Sequence, residues 1–307
     1  MNYYYKYIKY KTKCLEYNYN LKGGNLINYV NNIAVGTHDL CFVFIITSYN
    51  NSNWYKKNLD SIYNQSYNNW RIIYVDDASD DNTYELVEKY IKKHNLKDRV
   101  NLIKNDKNYK QGHSRYIAFK QCLDEEICCL LDGDDWLYDN YVLEKLFRMY
   151  VSNDILLTYG YFKTYDDNSS EVTFKPSKYP KKVIESNSYK YYNRWIATHL
   201  RTGYAKLFKS YPYEYLYDFN DELIGNATDY NEMMWVLSKS YGRHMPNNFI
   251  SMYYNKLASR KYENSYYNSD KNIKTKLYHV EIGYYLSLNE LTRYEKDKTI
   301  LIFTDLD

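Results

Sequence analysis

The sequence is short of the residues that define several large protein classes. Only 4 of its 307 residues are proline and 10 are glycine, too few for a collagen-like or low-complexity chain. Its five cysteines, Cys14, Cys41, Cys122, Cys128 and Cys129, form no C-x-x-C pair. Their odd number and largely apolar settings argue for reduced thiols over a disulfide frame or a zinc site. Long hydrophobic runs are missing too. The longest, Cys41 to Ile46, is a strand's length and far below the ~20 residues of a membrane helix. The N-terminal MNYYYKYIKYKTK lacks the apolar stretch of a secretory signal, so a soluble, cytoplasmic protein is the expectation. Charge of one sign is equally scarce. With 41 basic and 38 acidic residues the net charge is +3, and no basic face of the kind nucleic acid requires is visible. Neither G-x-x-x-x-G-K-[ST] nor G-x-G-x-x-G follows a strand, which excludes a P-loop NTPase and weighs against a dinucleotide enzyme.

What the chain has in excess is tyrosine, 43 residues against 10 phenylalanines. Tyr, Asn, Lys and Ile share AT-rich codons, and genome composition explains the bias more simply than a tyrosine-based function. From residue 41 onward the chain alternates between two periods. Apolar runs of strand length at 41–48, 70–75, 99–103 and 126–131 are separated by helical stripes over 54–65, 84–94 and 112–123. Strands apolar on both faces, alternating with helices, predict a parallel sheet covered on each side. Beyond it the sequence predicts a helix over 138–150, less regular strands over 155–165 and 171–174, and a loop over 176–192. A short helix over 204–209, a clearer one over 229–240, a strand over 248–255 and an amphipathic stretch over 273–291 complete the reading.

Ligands of open parallel sheets bind beyond the carboxyl ends of the strands. Three of the expected strands end in polar or acidic runs, TSYNN, DDASDD and DGDDW, and the fold would bring all three to one edge. Asp132 and Asp134 flank Gly133. Two carboxylates at a strand end suit a hard divalent cation that arrives with substrate phosphates. A helix cap is the plainer use of such residues, yet three acids at the mouth of an apolar strand exceed what capping needs. Asp76 and Asp77 end the second strand, where either can accept from a ring N–H or a ribose hydroxyl or simply start the next helix.

FIITSYNN, YVDDASDDNTYELV, NYKQGHSRYIAF and CCLLDGDDW occur in that order. Together they resemble the family 2 glycosyltransferases of GT-A fold. The likeness covers 41–137 well and continues more loosely through THLRTGYAKLF, TDYNEMMWVL and the YYN at 253–255. It implies a GT-A domain over 39–255, with a nucleotide-sugar-binding half (39–158) and a smaller, partly antiparallel acceptor half (159–255). An N-terminal extension (1–38) and a helical tail (256–307) would flank it. The implied activity is inverting transfer from a nucleotide-diphosphate sugar, of the UDP type, to a hydroxyl of a saccharide or of a glycan on protein or lipid, with Mn2+ or Mg2+. By the same resemblance Tyr49 packs on the base with Asp76 or Asp77 hydrogen-bonded to it, Asp132 lies near the ribose and the metal, and Asp134 is the direct metal ligand. Thr47 is a further donor-side candidate. Arg115, after the Gly112 turn, is one for the phosphates, although its stretch departs from the family's usual spacing. Asp229 matches the family's acceptor base. Apart from the resemblance, His199 beside Arg201 is a candidate for touching the diphosphate or completing the metal shell, a lone histidine being more often a satisfied surface or core residue. Ser48 replaces the family's proline, Thr228 replaces the glutamate before the base, and the absence of Q-x-x-R-W argues against a processive synthase. A sugar-1-phosphate nucleotidyltransferase or an inactive sugar-binding relative are the alternatives.

Overall fold

The computed structural model describes residues 40–166, 172–192, 194–217, 222–225 and 228–258. The expected N-terminal extension and the helical stretch at 273–291 lie outside them. The first strand, β1 (Phe42–Ser48), is buried along its whole length, as a strand covered on both faces must be. It pairs in parallel with β2 (Trp70–Asp76), which in turn pairs with β3 (Val100–Lys104). On its other side β1 meets β4 (Ile127–Leu130), also parallel, with Phe42 opposite Ile127 and Ile45 opposite Leu130. Three helices form the crossovers: α1 (Tyr55–Tyr63), α2 (Thr83–Lys93) and α3 (Lys110–Phe119). α2 buries an apolar stripe of Val87, Tyr90 and Ile91, whereas α1 buries Asn58 beside Leu59 and Ile62, and α3 buries Ser114 and Arg115 beside Ala118 and Phe119. The four described cysteines are free thiols.

After the two-residue β5 (Trp136–Leu137) and α4 (Val142–Ser152), the chain departs from the expected pattern. The single strand expected over 155–165 is two, β6 (Leu157–Tyr159) and β7 (Phe162–Tyr165), in different sheets. The break falls at Gly160, where a Cβ would stand 2.0 Å from Thr198 Oγ1. β8 (Thr173–Phe174) pairs antiparallel with β7. The expected loop over 176–192 contains a helical turn, α5 (Lys181–Glu185), and a 3-10 turn at Tyr189–Tyr191.

The chain then re-enters the main sheet as β9 (Arg201–Tyr204), antiparallel between β4 and β6. Next come α6 (Ala205–Lys209), a 3-10 turn at Tyr213–Leu216, and α7 (Thr228–Lys239). β10 (His244–Pro246) and β11 (Met252–Asn255) follow, so the strand expected over 248–255 occupies only its second half. The main sheet runs β10-β6-β9-β4-β1-β2-β3 and the smaller one β5-β11-β7-β8. This is the expected α/β arrangement, a mostly parallel sheet flanked by helices with a lesser antiparallel part.

One core group makes stability depend on pH. His244 is 9 % exposed, with Nε2 2.8 Å from the Tyr189 hydroxyl, and burial lowers its pKa from 6.5 to about 4. Between those values the unfolded chain takes up a proton that the native fold refuses, so stability falls as pH drops from 6.5 towards 4 and then levels off. Relative to neutral pH, the loss at pH 5 should be about 2 kcal/mol. Urea unfolding at both pH values should show that slope reduced by this amount in His244→Gln.

Candidate active site

Parallel strands β1, β2 and β4 bring their three acidic or polar C-terminal loops to one edge, and backbone hydrogen bonds lock them there. Asp77 N–H donates to Ser48 O at 2.8 Å and Gly133 N–H to Thr47 O at 3.0 Å. The loop after β1 is further tied to the loop after β2: Asn51 N–H donates to Thr83 Oγ1 (2.9 Å), Ser52 N–H to Asp81 Oδ2 (3.1 Å) and Asp80 N–H to Asn50 Oδ1 (2.8 Å). Tyr49 lies on this rim with its hydroxyl donating to Asp80 Oδ2 at 2.9 Å. Thr47 is buried at the strand end, and its Oγ1 has no partner among the described residues.

Asp76 and Asp77 take up different work. Asp76 is fully buried and accepts from the backbone N–H and hydroxyl of Ser79; burial raises its pKa. Asp77 Oδ1 accepts from Asn105 Nδ2 at 2.7 Å and Tyr109 N–H at 2.9 Å, which joins the loops after β2 and β3.

The DGDD turn is held from both sides. Asn58, a polar residue on the buried face of α1, donates through Nδ2 to the carbonyls of Asp132 (2.9 Å) and Asp135 (2.7 Å). Asn255, at the end of β11, donates its N–H to Asp135 Oδ1 at 2.8 Å and its Nδ2 to Asp134 O at 3.1 Å. Gly133 fits because it has no side chain. A Cβ there would lie 2.7 Å from Ser48 Cβ and Oγ and 2.9 Å from Asn51 Nδ2, and Ser48 Oγ is itself fixed by Tyr74 and Asn51. Gly133→Ala should therefore cost about 1–3 kcal/mol of stability by overpacking and displace the turn, read as a lower Tm together with weaker nucleotide binding.

No basic residue stands near these acids in the sequence, which left a metal as the expected counter-charge. The fold supplies side chains as well. Arg115 on α3 is 1 % exposed and places Nη2 2.9 Å from Asp132 Oδ1, and Gln111, one turn earlier, donates to the same oxygen at 2.8 Å. Because β9 runs antiparallel, its first residue, Arg201, stands opposite Leu130, at the carboxyl edge of the parallel strands. There Arg201, fully buried, donates through Nη2 to Asp229 Oδ2 at 2.8 Å and through Nε to Ala197 O at 3.0 Å. Asp229 sits in the first turn of α7. Burial opposes its ionisation, but Arg201, Arg115 and His199 outweigh that and hold its carboxyl down to about 2.

Three ligand atoms, from Asp132, Asp135 and His199, lie within 4.8 Å of one another. Asp135 Oδ2 is buried and has no partner among the described residues. His199, its ring stacked 5.5 Å from Tyr254, is depressed to about 4 by burial and by Arg201, so its imidazole is neutral at physiological pH and free of a competing proton. Asp134 adjoins this group without joining it; burial, then the charge of Asp132, lift its carboxyl to about 7. Crowded, partly desolvated carboxylates with an unused oxygen and a neutral imidazole are a donor set that fits a divalent cation.

The residues foreseen at 47, 49, 76, 77, 115, 132, 134, 199, 201 and 229 are thus placed on the loops and strand ends of one edge or on the arginine pairs behind it. Gln111, Asn58, Asn255, Asp135 as a candidate ligand, and Glu232 were not foreseen. Glu232 lies three residues after Asp229, is 3 % exposed, and is driven up to about 7 by burial against the pull of Arg115 and Arg201.

Comparison with known proteins gives a consistent picture. The family model "Glycosyl transferase family 2" matches residues 43–216. An Escherichia coli protein, UDP-Glc:alpha-D-GlcNAc-diphosphoundecaprenol beta-1,3-glucosyltransferase WfgD, is 28 % identical over 131 residues, 43 % of this chain and 49 % of that protein. An uncharacterized glycosyltransferase of Haemophilus influenzae is 28 % identical over 128 residues, 42 % of this chain and 49 % of its own. The matches thus span about half the length of these relatives. Among solved structures, S. aureus TarS 1-349 superposes with a TM-score of 0.53 at 19 % identity, covering 70 % of this chain and 60 % of its own. Its complex with UDP-GlcNAc gives 0.51 at the same identity, covering 70 % and 58 %. At that identity the likeness concerns the fold. Among the described residues no helix is long and apolar enough to cross a membrane.

Proposed function

The chain belongs to the glycosyl transferase family 2, and on that premise we propose that it moves a sugar from a nucleotide-diphosphate donor, of the UDP type, to an acceptor hydroxyl with inversion at the anomeric carbon. The observation that carries this reading is the opposition of two differently tuned acidic groups. The DGDD carboxylates and His199 form a cation-ready cluster, and Asp229, held ionised by Arg201, faces the same edge. A divalent cation bound among Asp132, Asp135 and His199, with Asp134 beside them, would neutralise charge gathering on the departing diphosphate. The mixed oxygen and nitrogen ligands suit Mn2+ better than Mg2+. TarS has been solved with UDP and with UDP-GlcNAc, and the glucosyltransferase WfgD carries UDP-Glc in its name, which supports a UDP-sugar here.

The remaining work falls to this chain's own residues. Thr47, Tyr49, Asp76 and Asp77 form the nucleoside edge, with Tyr49 as the base platform. Arg115 acts through Asp132, whose orientation it fixes. Asp229 accepts a hydrogen bond from the acceptor hydroxyl. A carboxylate of pKa about 2 cannot strip an alcohol in advance, so the proton moves only as the new C–O bond forms and the hydroxyl becomes acidic. Residues 39–158 carry the donor side and 159–255 the acceptor side, the acceptor being a saccharide or a glycan on lipid or protein. The test is to incubate the chain with Mn2+ and a panel of nucleotide sugars and score released nucleotide. The reading fails if no donor is turned over and none raises Tm.

A further inference from the structure

One oxygen of Asp132 is doubly occupied by side chains of a single helix. Its Oδ1 accepts from Gln111 Nε2 at 2.8 Å and from Arg115 Nη2 at 2.9 Å. The two donors stand four residues apart on α3, one above the other on the same helix face. Arginine commonly grips a carboxylate with two nitrogens on its two oxygens. Arg115 instead reaches Asp132 through Nη2 alone, and its Nη1 is buried and unpartnered among the described residues. Gln111 completes the orientation that Arg115 begins. With both lone pairs of Oδ1 taken, Oδ2 is left over. It accepts no hydrogen bond from a described residue, and the Asp132 side chain stays 20 % exposed.

The first turn of α3 is fixed so that Gln111 points at this oxygen. Lys110, its first residue, has a φ of 71°, a left-handed backbone uncommon outside glycine. Neighbours on both sides impose it. Lys110 N–H donates to Asn108 Oδ1 at 3.2 Å, and Tyr109 N–H to Asp77 Oδ1 at 2.9 Å. After Gln111, Gly112 lets the helix close on the later chain, for a Cβ there would lie 2.9 Å from Leu216 Cδ2 and 3.0 Å from Thr228 Cγ2. His113 Nδ1 lies 3.0 Å from the Tyr213 hydroxyl, and its ring stacks on Tyr109. A strained residue held this firmly points to a use for the side chain it aims.

We propose that Gln111 is a positioning residue that, with Arg115, reserves Oδ1 of Asp132 and leaves Oδ2 as the one ligand atom this carboxylate offers a divalent cation. Being neutral, the amide gives direction without adding a second positive charge to the oxygen. The smaller cations demand near-ideal octahedral shells, which the narrow bite of a two-oxygen carboxylate distorts, whereas Ca2+ accepts that bite in a larger, flexible shell. Gln111 thereby favours Mn2+ over Ca2+ without touching either. The inference deepens the cation site proposed above and rests on it.

The test uses the full chain and the metals alone. Gln111→Met keeps the length of the side chain and removes its donor; Gln111→Leu is the second variant. Mn2+ binding is read from the EPR signal of the free ion, and Ca2+ binding from its competition with Mn2+. The wild type should bind Mn2+ and prefer it to Ca2+. In both variants the Kd for Mn2+ should rise about 10- to 100-fold, as when other metal ligands lose a hydrogen-bond partner. The Kd for Ca2+ should change less than about threefold, because the freed lone pair of Oδ1 gives that ion a second contact. A folded variant with wild-type Mn2+ affinity overturns the proposal. So does an equal loss for both cations, which is what a merely displaced DGDD turn would give. Added to Asp132→Asn, Gln111→Met should leave the residual Mn2+ affinity unchanged, and a further fall shows that Gln111 does not act through Asp132. If one variant does not fold, the other decides; if neither folds, or if the wild type binds no Mn2+, the proposal falls. Should the wild type bind Mn2+ yet turn over no donor, the transferase reading fails while the Mn2+ titration still decides on Gln111.

Discussion

Asp229→Asn should lower kcat by about 10³-fold, within the range of general-base loss, and leave the affinity for donor nucleotide nearly unchanged. Asparagine keeps the shape of the side chain and its hydrogen bond from Arg201 Nη2, 2.8 Å away in the native protein, but it cannot take a proton. Because Arg201 retains a neutral acceptor, the loss of stability should stay below the ~3–5 kcal/mol that follows when a buried pair loses one partner outright. The pH profile sharpens the test. With its carboxyl held at about 2, Asp229 is ionised throughout the working range, so any acid limb of kcat above that value belongs to another group. Equilibrium binding of UDP by calorimetry, beside steady-state turnover, separates the two effects. A variant with wild-type kcat would remove Asp229 from the role of base.

The second large effect is expected at Asp132. Asp132→Asn should abolish the metal dependence of UDP binding and lower kcat/KM by about 10²–10³-fold, the magnitude of losing one well-placed electrostatic stabiliser. Family resemblance and geometry agree on this residue, and they differ on its companion. Resemblance names Asp134, whereas the structure gathers Asp135 and His199 with Asp132. UDP titrations with and without Mn2+ on Asp134→Asn and Asp135→Asn rank the two. The unused Oδ2 of Asp135 favours a larger loss at Asp135, and an unaffected Asp135→Asn returns the direct ligand to Asp134. The wild type, treated with a chelator, should match Asp132→Asn.

The parts of this site that could be read from the sequence are those whose signal is local. The apolar runs of β1, β2 and β4 are strands because both their faces are covered, and their polar ends meet because parallel strands share one carboxyl edge. The RTGY stretch of β9 has no such signature. Its polar side chains are answered from far away: Thr202 lies 2.8 Å from the Tyr150 hydroxyl and 2.7 Å from that of Thr158, and Arg201 is bound by Asp229. Periodicity cannot register partners that distant, and β5 and β10 are too short to show a period at all. The same blindness hid Arg115 as the counter-charge of Asp132, since the two are joined only by the fold. Asn58 and Glu232 did leave a trace, each a polar residue among mostly apolar buried positions of its helix. A polar residue there asks what it meets inside, which a sequence cannot answer.

The position of β9 also bears on how such a protein can be altered. A strand from the second half of the chain is paired on one side to β4 and on the other to β6, and it carries Arg201 to the site. Exchanging everything after residue 158 for the corresponding part of a relative would therefore replace an interior strand of the main sheet, and with it the Arg201 that binds Asp229. On the reading proposed above, donor and acceptor specificity would not be modular in this chain.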